Sequence, residues 1–218
     1  PGNGAFIAKN SWGVYWGDSG YFYISYYDTQ VASYSAVFVR PETTANYARK
    51  YEYDPLGAIR WMGYDNGVCW GANIFTARNN QPLTAIGLVL NTNNARALIH
   101  VHVGGEPGRP ATGDYVAQQL FSMPYAGYYT VPLSEPIPLT KGQIFSVTVQ
   151  FANNVNYTYP LPVEYPIQGY SSQVESAPGQ SYVSLDAANW EDLADSGANM
   201  CIKAFAQAYD LALDLSVR

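Results

Sequence analysis

Three groups of residues in this 218-residue chain have types and spacing suited to chemistry. The first is Lys9-Asn10-Ser11-Trp12-Gly13, continued by Trp16-Gly17 and Gly20-Tyr21-Phe22. An asparagine carboxamide does no acid–base work itself, but it can accept a hydrogen bond from an imidazole and so fix its tautomer and orientation. The second group is the cysteine pair, Cys69 and Cys201, read as either one long-range disulfide or two buried thiols. The third is His100-Val101-His102, whose period-two spacing places both imidazoles on one face of a strand. Zinc or copper could use that spacing, but no Asp, Glu or Cys partner is evident, so two polar positions on a solvated face is the expectation.

The elements that must hold these groups read as β. Hydrophobic residues make up 48% and charged residues 13%, which excludes disorder, and 20 Tyr, 19 Gly and 14 Pro favour strands joined by turns. Tyr21 to Tyr27 and Ala36 to Val39 read as strands, and further runs fall at 68–76, 83–91, 96–103, 126–133, 144–151, 162–167, 180–185 and 199–206. Asn93-Asn94, Gly104-Gly105, Lys141-Gly142 and Pro178-Gly179 separate them. Serial short strands without intervening helices predict an all-β, antiparallel sandwich. The tail 209–218 has a run, Asp210 to Leu215, whose periodicity does not choose between strand and helix.

Net charge is -6 with no basic cluster, which argues against nucleic acid and anionic membranes as partners. No apolar run reaches the length of a membrane span, so no insertion is expected. The opening Pro1-Gly2-Asn3-Gly4 is neither a signal peptide nor a start methionine, and reads as a beginning within a longer protein. No cofactor is implied.

The string around Asn10, with Phe6-Ile7 before it, resembles the asparagine signature of the papain-like cysteine peptidases across about 20 contiguous residues. By that resemblance 1–40 is the C-terminal segment of the peptidase domain, a fragment of its β subdomain. Asn10 would orient the catalytic histidine and Trp12 would shield the bond between them. The nucleophilic Cys and the His would then lie on an upstream fragment, which becomes the expected partner, with a polypeptide as substrate. Cys69-Trp70 is a weak imitation of the family's Cys-Trp pair, because it follows the asparagine and sits in a strand run rather than at the helix start that would lower a thiol's pKa. Phe6, Ile7, Trp12, Trp16, Phe22 and Ile24 lack a full core of their own, so they should either bind the missing piece or pack on the β domain.

Residues 41–208 resemble the lectin-like, jelly-roll-type domain that follows some secreted peptidases of this kind. Tyr51-Glu52-Tyr53-Asp54-Pro55-Leu56-Gly57, Trp70 to Ala77, Ala126 to Leu133, Lys141 to Val147, Asn189 to Leu193 and Cys201 to Phe205 carry that resemblance. It implies a secreted or cell-surface protein and, as an alternative function, a non-catalytic carbohydrate- or cell-surface-binding module. A sugar site wants aromatic faces flanked by amides or carboxylates, and Trp61, Tyr64, Tyr128, Tyr129 and Trp190 are the candidates, while Trp70 and Phe75 are expected in the core. Asn156-Tyr157-Thr158 fits a glycosylation acceptor pattern.

Overall fold

The structure is a computed structural model that describes residues 3–31, 43, 45–153 and 157–208. The expected strand at 36–39, the tail 209–218 and Asn156 lie outside the described residues. The chain forms two compact units, Pro1–Thr43 and Thr44–Arg218.

The first unit is a hairpin. Strand β1 (Ala5–Lys9) runs antiparallel to β2 (Tyr21–Ser25), with Phe6 opposite Ile24 and Ala8 opposite Phe22. Alternation sets Phe22 and Ile24 on one face and Tyr21 and Tyr23 on the other.

The second unit is built from antiparallel sheets. The six-stranded sheet has the order β13 (Glu191–Asp192), β12 (Ser181–Ser184), β5 (Val68–Thr76), β10 (Ile144–Ala152), β7 (Arg96–Val103) and β8 (Asp114–Ser122). The four-stranded sheet has the order β3 (Arg49–Tyr51), β15 (Ile202–Ala206), β6 (Gln81–Leu90) and β9 (Gly127–Leu139). A small third sheet joins β14 (Asn199–Met200), β11 (Leu161–Glu164) and β4 (Arg60–Met62). Alternate residues of the two large sheets meet in one core: Ile99, Val101, Phe145, Val147, Val149 and Phe151 from one, Leu83, Ile86, Leu88 and Val131 from the other. That is the expected sandwich. The step from Leu83 to Ile86 would break the period of two, and a register shift between Leu83 and Ala85 restores it.

Two differences from the sequence reading have physical causes. Strand β9 runs on to Leu139 through Pro132, Pro136 and Pro138, because it is an edge strand and a missing N–H costs little there. Strand β8 was not expected, since its other edge position leaves Tyr115, Val116 and Leu120 exposed and erases any clean apolar alternation.

The expected strand 199–206 breaks at Cys201, where the chain leaves the small sheet for the four-stranded one. Buried Asn73 serves that crossing. Its Nδ2 donates to the carbonyls of Met200 (3.0 Å) and Ile202 (2.7 Å), and its Oδ1 accepts from Ser181 Oγ at 2.6 Å. Nearby, Lys203 Nζ donates to Glu52 (2.7 Å), to the Asp54 carboxylate (2.8 Å) and to the Asp54 carbonyl (2.9 Å). Burial outweighs the lysine and raises the Asp54 carboxyl to about 6, whereas Glu52, under pressure from burial but paired with Lys203 and Lys50, is held below its ordinary value.

Two outcomes follow. Asn73→Ala leaves two carbonyls and a hydroxyl buried without their partner, which costs about 2–4 kcal/mol and lowers Tm by roughly 5–15 °C in a thermal melt. Asp54 binds its proton more tightly in the folded state, so its contribution to stability rises as pH falls from 7 to 5, by about 1 kcal/mol, and is lost again as pH rises through 6. The imidazoles of His100 and His102, held below their ordinary value by burial, pull the other way. The difference between the native chain and Asp54→Asn in urea melts at pH 5 and pH 7 isolates the term, and Asn should abolish it.

Candidate functional site

The Asn10 loop is shaped by the backbone before any side chain acts. Asn10 N–H donates to Gly20 O at 3.0 Å, and Gly20 N–H donates to Trp16 O at 2.8 Å, closing the loop between the two strands. At Gly17 φ is +60°, and a Cβ would stand 2.4 Å from Tyr21 O, so only glycine fits that turn. Asn10 Oδ1 accepts the Trp12 backbone N–H, and the indoles of Trp12 and Trp16 meet edge-on at 5.0 Å. Asn10 Nδ2 is buried without a hydrogen-bond partner among the described residues. Trp12 is 72% exposed and Tyr15 fully so, while Phe6, Ile7 and Tyr23 are also open to solvent.

Cys69 and Cys201 are both free and buried, so of the two alternatives raised by the sequence the structure holds thiols and not a bridge. Burial raises both thiols, and at Cys201 burial and the Asp54 carboxylate outweigh Lys203, so neither carries the lowered pKa of a reactive cysteine. Cys69 faces the core, opposite Phe151. His100 and His102 point from the other face of the same sheet, where His100 lies between Trp70 (5.3 Å) and Tyr115 (5.2 Å). A Cys69–His100 pair across the sheet is therefore excluded by strand parity. The imidazoles are not simply solvated, as the sequence had led us to expect: each keeps one nitrogen buried and unpartnered, and their aromatic neighbours explain why. Trp70 likewise stands half-buried on this outer face and not in the main core, whereas Phe75 is in it. Among the described residues no cluster of three or more His, Cys, Asp or Glu is placed to hold a metal.

The five aromatic candidates for a sugar do not converge. Trp61 lies on β4 opposite Pro162 in the small sheet. Tyr64 and Trp190 come near one another through Glu191: the Tyr64 hydroxyl donates to its Oε1 at 2.8 Å, and Trp190 is its chain neighbour. Burial and that carboxylate push the Tyr64 phenol well above its ordinary range. The Trp190 indole N–H is spent on Ala187 O at 3.0 Å. Adjacent residues of one strand face opposite ways, so Tyr129 packs on the core with its hydroxyl on Tyr125 O, whereas Tyr128 is half-exposed beside Gly87. The Asp186 carboxylate beside Trp190 is consumed by its own loop, accepting from the Ala188 and Asn189 amides.

Two clefts do open on the second unit. One, of about 510 Å³, lies between the edges of β8 and β9. Gln119 closes its end by imitating a peptide group, donating to Pro132 O at 2.9 Å and accepting from Ser134 N at 3.2 Å. The other, of about 420 Å³, is lined by Tyr53, Phe75, Arg78 and Lys141. The sequence reading assigned these four no joint role. Arg78 and Lys141 stand far apart along the chain, and the only local sign was the Lys141-Gly142 turn.

Comparison with known proteins agrees with this architecture. Residues 50–206 match the family described as lectin like domain. Two solved structures are similar in fold. The first is a clostridial cysteine protease, Cwp84, after propeptide cleavage, with 21% identity and a TM-score of 0.69 over 94% of this chain and 51% of that one. The second is the crystal structure of the cysteine protease and lectin-like domains of Cwp84, a surface layer associated protein of Clostridium difficile. There identity is 22% and the TM-score 0.58, over 94% of this chain and 46% of that one. The chain thus spans about half the length of the structures it matches. The likeness covers more of the chain than the second unit alone contains, so it extends into the hairpin unit. No curated protein sequence matches. With most of its length in that match and an antiparallel sandwich to go with it, this chain belongs to the lectin-like domain family.

Proposed function

We propose that this chain is the C-terminal portion of a secreted papain-like cysteine peptidase, joining the last hairpin of the catalytic domain to a lectin-like accessory domain. One observation carries the reading: the hairpin turns Phe6, Ile7, Trp12, Tyr15 and Tyr23 to solvent while burying Asn10 Nδ2 without a partner. A two-stranded hairpin is marginal alone, and that much apolar surface marks an interface. A catalytic fragment carrying Cys and His supplies the missing cover. In the completed site the thiolate attacks the scissile carbonyl and the histidine moves the proton. Asn10 Oδ1 already accepts the Trp12 amide, but a carboxamide oxygen has two acceptor sites, and the second orients the imidazole. Trp12 covers that bond. The fold likeness to structures that hold a cysteine protease domain supports the same arrangement.

A second reading, a carbohydrate- or cell-surface-binding module, concerns the other unit and is compatible with the first. The cleft between Tyr53, Arg78 and Lys141 favours it.

The chain alone, treated with an epoxide probe selective for papain-like cysteines, should show no mass adduct. An adduct at Cys69 would overturn the proposal. Joined to a segment bearing the Cys and His, the chain should support thiol-dependent proteolysis. There Asn10→Ala should cut kcat by about 100-fold with KM little changed, because a misplaced imidazole costs on that order.

A further inference from the structure

The smaller cleft combines an apolar wall with unneutralised cations. Its wall is Tyr53, stacked on buried Phe75 with ring centres 5.0 Å apart. The Tyr53 hydroxyl donates to Ile74 O at 2.6 Å, so the ring is fixed, with one face spent on Phe75. The cations come from two chain segments locked together by backbone. Ala77 N–H donates to Gln143 O at 2.9 Å, Gly142 N–H donates to Ala77 O at 2.8 Å, and Lys141 N–H donates to Asn80 Oδ1 at 2.8 Å. Arg78 and Lys141 therefore flank one point on the rim.

Neither Arg78 nor Lys141 has an ion pair or side-chain hydrogen bond among the described residues. The chain carries 17 acidic side chains against 11 basic ones, so two adjacent unpaired cations are a local inversion of its field. The carboxylate that also lines the cleft, Glu52, is already taken by Lys203 at 2.7 Å and Lys50 at 2.5 Å. What remains for a ligand is an aromatic face beside two free cations.

We propose that this cleft binds an anionic saccharide, with its carboxylate on Arg78 and Lys141 and its ring against Tyr53. A carboxylate matches the planar guanidinium fork, and the C–H face of a pyranose matches an aromatic wall. A bare anion uses only the cations, and a neutral sugar uses only the ring. The inference deepens the binding-module reading and rests on it, while being independent of the peptidase reading.

Titration of the full chain with trigalacturonate, followed by calorimetry, tests it. Binding should weaken steeply as salt rises from about 0.01 to about 0.15 M. Maltotriose, acetate and a triglutamate peptide should each bind at least about tenfold more weakly. Arg78→Gln and Lys141→Gln should each weaken trigalacturonate by about tenfold, the loss of one charge-assisted contact, with unchanged thermal melts because both side chains are exposed. Equal binding of acetate would reduce the site to an anion hole, and equal binding of the peptide would make it a peptide site. Either result overturns the proposal, as does trigalacturonate binding that ignores both substitutions. Binding of neutral glycans untouched by those substitutions would overturn this cleft and leave the binding-module reading standing.

Discussion

A sandwich whose chain crosses from one sheet to another between β14 and β15 must satisfy the carbonyls beside the crossing. The carboxamide of Asn73 does so, in a place where Asn73 itself is fully buried. Because it also accepts from Ser181, the crossing is tied to β5 and β12 on one side and to β15 on the other. An unpaired carbonyl at that depth would cost about twice what an ordinary hydrogen bond contributes. The break at Cys201 and the closing of the core around Met200 and Ile202 depend on that contact.

The charged residues near the same crossing work under a different balance. Lys203, Glu52 and Asp54 are drawn out of water together, with the lysine bonded to both carboxylates. Desolvation wins over the lysine at Asp54 and loses at Glu52, which has a second lysine and more solvent. The consequence for the surface is indirect. Glu52 is neutralised from beneath, so the cations of the neighbouring cleft are left without an internal anion.

The hairpin unit leaves most of its aromatic surface open to solvent. Its backbone is closed by its own hydrogen bonds, including a turn that only glycine can make at Gly17, and Trp12, Trp16 and Phe22 pack edge-on in series. The two units differ in chemistry: one holds the half-buried carboxamide of Asn10 among exposed aromatic side chains, the other is a β domain with its own core and two clefts.

Short-range physics made part of this legible from the sequence. Alternation of Val, Ile and Phe set the strands β5, β7 and β10, because a side-chain period of two is a local property, and glycine spacing revealed the turn that presents Asn10 and Trp12. Edge strands were harder to read: β8 only half-buries Ala117, Gln119 and Phe121 and leaves Tyr115, Val116 and Leu120 open, and the prolines that carry β9 on to Leu139 are tolerated because it lies at the edge of its sheet. Strand parity, a local rule, sent Tyr128 and Tyr129 to opposite faces, but only the fold could say which face is core. Which distant residues share a surface was likewise decided by tertiary structure. The five aromatic candidates fell on two different sheets and on loops, while Arg78 and Lys141 came to line one cleft through a backbone ladder. No residue in a sequence carries the sign of the charge that will face it across a folded surface, so that pairing had to wait for the sheets to form.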